Sequence, residues 1–397
     1  MERQPDEFDR FSALVLSDAA LQDELQTPDD ADRFVASVVD SARRRGFGLD
    51  PEALWARMRA RLLGLGPWAE TDIVETPLPP PGWLPIAASW RGDQFHLDWR
   101  HFGEQRLVDP FFEGSVQRRL YKPFNRLFRH ATPISRLPEW LAAHPHLRPS
   151  GLIFHMSRCG STLVSQMLAA LPANIVVAEA PPIDAIVQAY RLMPDAGEAR
   201  YADWLAALAG ALGHRRLGDE RHYFIKLDSW HTLALPLFRR AFPEVPWVFL
   251  YRDPVEVMVS QLQMPGMQML PGGIGPQLYG IERSYGAEMA EDYYAHILAK
   301  VCEPVVRHIS EGGLLVNYRQ LPEAVWTAIL PHFGVACSAG ERAMMAAAAR
   351  YDAKTPGIEF AADSAAKQQG ASAATRHAAD RWLGDLYRRL EGLRAGG

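Results

Sequence analysis

Residues 151–168 read GLIFHMSRCGSTLVSQML: a short apolar run, a turn built on Ser157, Arg158, Cys159, Gly160, Ser161 and Thr162, then an amphipathic stretch. Five consecutive mostly apolar residues followed by a glycine-bearing turn predict a buried strand that feeds a helix. Such a turn collects backbone N–H groups and the positive end of the helix dipole at one point, which stabilises an anion such as phosphate. The nucleotide triphosphate loop GxxxxGK[ST] is a different pattern, since it would require glycine at His155 and lysine at Ser161.

Further along, the runs ANIVVAE (173–179), RHYFIKL (221–227), PWVFLY (246–251) and GLLVNY (313–318) repeat the short apolar pattern, with helix-type stretches between them. Alternating strands and helices predict an α/β fold with a parallel sheet covered on both faces. Ligands in such folds bind outside the carboxyl ends of the strands, so the residues that close each run are the candidates for chemistry. Glu179 closes the second run, Lys226 the third, Tyr251-Arg252-Asp253-Pro254 the fourth and Tyr318 the fifth.

Upstream, residues 1–66 read as a small helical module: FDRFSALVLSDAALQDELQ, a break at TPDDAD where Asp29 or Asp30 can cap, and a last helix opened by Asp50 and Pro51. Residues 67–150 carry the run PLPPPGWLP and many aromatics, and read as an extended connector whose aromatics pack on the main domain, residues 151–397. After the fourth run, QMPGMQMLPGGIGP reads as a long loop or a lid.

Composition narrows the function. With 42 Lys and Arg against 47 Asp and Glu, the net charge is −5, and no long basic run is present, which argues against nucleic acid as partner. The three cysteines, Cys159, Cys302 and Cys337, lack metal-ligand spacing and fit a reducing, cytoplasmic setting. The acidic N-terminus is unlike a signal peptide, and no apolar stretch approaches the roughly 18 residues of a spanning helix, so no membrane partner is expected.

Together, the SRCGST turn, the strand-RDP-helix unit with Ser260 eight residues after Arg252, and the NYRQL turn resemble the sulfotransferases that use 3′-phosphoadenosine 5′-phosphosulfate (PAPS). The resemblance covers Gly151 to about Pro331, with a looser echo from Arg381 to Leu393. The arginine in the loop is closer to the carbohydrate and tyrosine-protein branch than to the cytosolic branch, whose loop carries lysine. Arg319 departs from the family pattern, which has an acid there.

The resemblance implies a P-loop-like fold and a set of roles. Residues 158–162 would hold the 5′-phosphosulfate, Arg252 and Ser260 the 3′-phosphate, and Tyr318 would lie beside the nucleotide. Arg158 and Lys226 would neutralise charge on the departing oxygen, and Glu179 would be the base that takes the acceptor's proton. Asp228 and His231 are the alternative bases. The thiol of Cys159 has no catalytic part, and no metal is expected. The acceptor would carry a hydroxyl.

The N-terminal module resembles the nif-type leader domain of ribosomal peptide precursors, notably in GFGLDPEAL (46–54), which makes a ribosomal peptide a candidate acceptor. The same residues also read as an amphipathic cap on the main domain. Two other functions share the strand-loop-helix unit: a peptide-recognition module that no longer catalyses, and an ATP-dependent phosphotransferase. The latter normally needs a loop lysine and a metal-holding hydroxyl beside it.

Overall fold

A computed structural model describes residues 5–62, 76–270, 274–282, 285, 289–355 and 357–396. Four helices come first: α1 (Glu7–Ser17), α2 (Ala19–Gln26), α3 (Ala31–Arg44) and α4 (Pro51–Leu62). The stretch expected as one opening helix is broken in two, because the Asp18 carboxylate accepts from the Leu21 amide at 3.1 Å and caps α2. Asp30 caps α3 in the same way, through Arg33.

Next come β1 (Trp83–Arg91), β2 (Gln94–His101), α5 (Phe112–Leu120), α6 (Pro123–Leu127), β3 (His130–Pro133) and α7 (Leu137–Ala143). The three strands form an antiparallel sheet in the order β1-β2-β3, where the composition suggested an extended connector. The local reason is the Gly92-Asp93 pair between Arg91 and Gln94, which are register partners, with Gly92 at φ 59°. A two-residue turn with positive φ matches the twist of a hairpin.

The aromatics of this region are packing groups. Trp83, Trp99 and Trp140 are fully buried, and each indole N–H has an acceptor: Gln22 Oε1, Thr132 Oγ1 and the Pro79 carbonyl. Phe8, Phe11 and Phe34 from the helices meet Phe128 at centroid distances of 6.2–6.5 Å, so α1 and α3 share one core with the antiparallel sheet.

The remaining elements are β4 (Gly151–His155), α8 (Ser161–Ala169), β5 (Asn174–Ala178), α9 (Pro181–Leu192), α10 (Glu198–Leu212), β6 (His222–Lys226), α11 (Leu235–Ala241), β7 (Trp247–Tyr251), α12 (Pro254–Gln263), α13 (Ala290–His308), β8 (Gly313–Asn317), α14 (Leu330–His332), α15 (Ala339–Ala348), α16 (Ser364–Gly370) and α17 (Ala373–Gly396). The five strands form a parallel sheet in the order β5-β6-β4-β7-β8. All five expected strands are therefore present, and β4, β5 and β7 are buried along their whole length.

After β4 the chain runs toward β5, and after β7 it runs toward β8, on the opposite side. The carboxyl ends of β4 and β7 thus flank a topological switch point, where connecting loops part and leave a crevice. No described helix is long and apolar enough to cross a membrane.

Candidate active site

The loop leaving β4 is forced into an uncommon backbone. Ser157, Arg158 and Gly160 have φ of 73°, 51° and 84°, the left-handed region that costs non-glycine residues about 1–2 kcal/mol each. Surrounding contacts hold it there: the Ser157 N–H donates to His155 Nδ1 (3.0 Å), and Ser157 Oγ accepts from Gln261 and Gln268 (3.0 and 3.1 Å). Gly160 is the N-cap of α8 and no side chain caps the helix, which leaves its first amides for an outside acceptor. Glycine suits 160, since its φ is left-handed and a Cβ there would lie 2.7 Å from Leu321 Cδ1 and 3.0 Å from the Tyr318 ring, so those side chains would have to shift.

Within this loop Ser161 and Thr162 are buried at the start of α8, and Cys159 is fully buried. The Cys159 thiol donates to the Leu250 carbonyl, and burial pushes it up to about 12, so it stays protonated and inert. Arg158 reaches over the loop and donates to the Met264 carbonyl at 2.5 Å. The segment read as a lid is tied down here: Met267–Met269 forms a single 3₁₀ turn with Gln268 and Met269 buried, while residues 271–273 lie outside the described set.

At the ends of β5 and β6, Lys226 and Glu179 form an ion pair. The Lys226 side chain is wholly buried, and its ammonium lies 4.8 Å from the centre of the Phe111 ring. Glu179 has φ 54° and its amide donates to the Lys226 carbonyl at 2.8 Å, so the turn out of β5 is locked to β6. Its side chain keeps 22% exposure. Burial raises the Glu179 carboxyl, but the Lys226 charge and the His155 contact outweigh that and hold it well below the usual carboxylate range.

His155 sits behind this pair, with Nε2 3.3 Å from Glu179 Oε1. Because Nδ1 accepts from Ser157, the proton belongs on Nε2, facing the carboxylate. Burial lowers the imidazole below its ordinary value, so it is neutral.

Asp228 and His231 lie one step deeper, with Asp184. His231 Nδ1 accepts from the Asp228 amide (3.3 Å) and its Nε2–H points at Asp184 Oδ1 (3.0 Å). Asp184 also accepts from Trp230 Nε1 and Gln188 Nε2, each at 2.6 Å. Burial, then the negative charges of Glu179 and Asp184, lift the Asp228 carboxyl well above its usual range. Ligand-type atoms of Asp184, Asp228 and His231 come within 4.8 Å of one another, yet the histidine has no lone pair to spare for a metal in this network.

Across the crevice, Arg252 closes β7, almost fully buried. Its Nε donates to Glu256 (2.6 Å), its Nη2 to Asp363 (2.6 Å) and Ser364 (3.0 Å), and its plane lies 4.0 Å from the Tyr318 ring centre. Ser260 stands half-buried one turn after Glu256 on α12, on the same face. Tyr318 touches both halves of the site, stacking on Arg252 and closing over Gly160. Residues 158–162, 179, 226, 252, 260 and 318 thus all lie along the carboxyl edge of one sheet, around the β4/β7 crevice.

Residues 152–337 match the sequence model of the sulfotransferase family. That stretch holds the parallel sheet and the crevice and is similar to the family. No curated protein matches this chain. Solved structures similar to this chain include the sulfotransferase domain from the curacin biosynthetic pathway (14% identity, 63% of this chain, 98% of that chain, TM-score 0.37). Two others are the sulfotransferase domain of the Synechococcus PCC 7002 olefin synthase (18%, 63% and 96%, 0.35) and sulfotransferase STF1 from Mycobacterium tuberculosis H37Rv (18%, 70% and 86%, 0.36).

Several residues of this site carry no signal of their role in the sequence. His155 was visible as a polar residue ending an apolar strand, and Phe111 as an aromatic ahead of the loop motif, but nothing local connects either to Lys226. Lys354 comes from the loop after α15, with its ammonium 6.0 Å from the Phe111 ring centre. It keeps solvent contact, and desolvation followed by the charges of Arg158 and Lys226 lowers it to about 8. Asp363 and Ser364 lie 111 and 112 residues from Arg252, a separation that no motif spans.

Proposed function

We propose that this chain transfers a sulfuryl group from PAPS to an acceptor hydroxyl. The observation that carries the reading is the left-handed, uncapped loop at the switch point with Lys226 and Glu179 at its side and a buried arginine under Tyr318 across from it. That arrangement offers two anion sites on one crevice, which suits a nucleotide bearing both a 5′-phosphosulfate and a 3′-phosphate. A triphosphate-using transferase finds less support, because Ser161 stands where its lysine would be.

In this reading the 158–162 loop and the first amides of α8 hold the phosphosulfate, and Arg252, Ser260 and Tyr318 hold the 3′-phosphate end. The acceptor oxygen attacks sulfur in line, a new S–O bond forms, and the bond from sulfur to the bridging oxygen breaks. Lys226 and Arg158 offset the charge that grows on that oxygen, the largest kind of contribution a fixed site makes. Glu179 takes the acceptor's proton, being ionised and still open to the crevice. Turning Lys226 toward the bridging oxygen would release the carboxylate it now holds, so base and leaving-group cation are freed in one motion. Asp228 is a poorer base because it keeps its proton, and His231 because both ring nitrogens are engaged.

The acceptor is a hydroxyl-bearing molecule, with a ribosomal peptide among the candidates that mass spectrometry with PAPS would distinguish. The direct test of the donor is titration calorimetry with adenosine 3′,5′-bisphosphate, AMP and ATP. Arg252→Ala and Ser260→Ala should each weaken the bisphosphate, since charge-assisted bonds to phosphate are among the strongest polar contacts. Unchanged affinity in both variants would sink the reading.

A further inference from the structure

Arg252 is already paired with two anions. Its guanidinium is neutralised by two carboxylates, Glu256 and Asp363, although the donor reading requires it to receive a phosphate. The two carboxylates are not equivalent. Glu256 lies one turn along α12, its side chain only 4% exposed, and accepts from Ser364 Oγ (2.9 Å) as well as from Arg252 Nε. It belongs to the frame and fixes the plane of the arginine.

Asp363 arrives from outside. It is the N-cap residue of α16, on the segment between α15 and α17, and its side chain is 45% exposed. One carboxylate oxygen accepts from Arg252 Nη2 and the other from Lys367 Nζ, each at 2.6 Å. Arg252 and Lys367 therefore converge on the place where one carboxylate now sits, while the Ser364 hydroxyl is turned to Glu256. Arg252 and Lys367 raise no charge conflict there, because their attraction outweighs the burial that would lift the Asp363 carboxyl, and it stays ionised.

We propose that Asp363 is an internal stand-in for the donor's 3′-phosphate, and that Lys367 becomes a phosphate ligand when Asp363 is displaced. The inference rests on the donor reading above and adds to it the residues that set specificity. A phosphate dianion presents the same kind of oxygen acceptors with about twice the charge, so exchanging it for the carboxylate leaves neither Arg252 nor Lys367 without a partner. A nucleotide that lacks a 3′-phosphate can offer no such exchange. Asp363 stays on Arg252, and that end of the crevice stays closed. Specificity then comes from a repulsive element as well as an attractive one.

The test is calorimetric titration of adenosine 3′,5′-bisphosphate and of AMP into the full-length protein and its Asp363→Asn, Asp363→Ala, Lys367→Ala and Arg252→Ala variants. Removing the competitor should tighten the bisphosphate by roughly three- to tenfold in both Asp363 variants, with little change for AMP, because a larger fraction of the protein is then binding-competent. Lys367→Ala should weaken it by about tenfold. If Arg252→Ala abolishes binding while both Asp363 variants bind as the parent does or more weakly, the stand-in is refuted and the donor reading survives. If the parent protein fails to bind the bisphosphate, or Arg252→Ala binds it normally, the donor reading falls and takes this inference with it.

Discussion

Replacing Lys226 by Met isolates the charge at the centre of the site. The two side chains are similar in length and volume, so packing changes little and the cavity term is small. The ammonium of Lys226 is wholly buried and paired with Glu179, which keeps 22% exposure. Breaking a buried pair by removing one partner costs about 3–5 kcal/mol, and the partial exposure of Glu179 places this case near 3 kcal/mol. The pH dependence gives the signature.

In the parent protein the Glu179 carboxyl lies below its unfolded value of about 4.5. Its contribution is therefore complete above that pH and is lost as pH falls through the folded value. In Lys226→Met the strongest of the cations is gone, His155 and the charges of Arg158 and Lys354 alone oppose burial, and the carboxyl rises from its low value. Above about pH 4.5 the variant therefore lacks stability that the low carboxyl gives the parent, and the two converge as pH falls toward the parent's folded value. Urea unfolding at neutral pH and near pH 3 should show the gap between parent and variant narrowing on acidification, and Glu179→Gln added to Lys226→Met should restore part of the loss at neutral pH. A loss below about 1 kcal/mol at neutral pH, or a gap that does not narrow, would refute the reasoning.

Gly160→Ala should fold but bind adenosine bisphosphate poorly, since its left-handed φ costs about 1–2 kcal/mol and the new methyl displaces Leu321 or Tyr318; calorimetry that finds parent affinity would contradict the cradle. Phe128→Ala should destabilise the chain by about 3–5 kcal/mol in urea, because the ring is fully buried among Phe8, Phe11, Phe34 and Phe124. A loss under about 1 kcal/mol would mean that α1 and α3 are dispensable to the fold and free to serve recruitment alone.

The five strands of the parallel sheet were legible because each is a short apolar run closed by a polar residue, and a buried parallel strand has no other way to look. The hairpin of β1 and β2 was legible in principle from Gly92-Asp93 between two aromatic-rich runs, but the prolines before it drew the reading toward a connector. The split between α1 and α2 turned on a single side-chain cap at Asp18, the kind of local choice that periodicity does not register.

What the amino-acid order determined by itself was the chemistry at strand ends: Arg158 and Gly160 in the loop, Glu179, Lys226, Arg252 and Tyr318 each closing a run. These positions follow from local rules, since a strand's burial and a turn's backbone depend on residues within a few places of one another. Only tertiary structure decided which of these groups neutralise each other. It put Lys226 on Glu179 with His155 behind, Phe111 beneath the ammonium, and Asp363 on Arg252 from more than a hundred residues away. Charges interact through space with an energy set by distance and burial, and neither quantity is written in the chain until the sheet has brought its edges together.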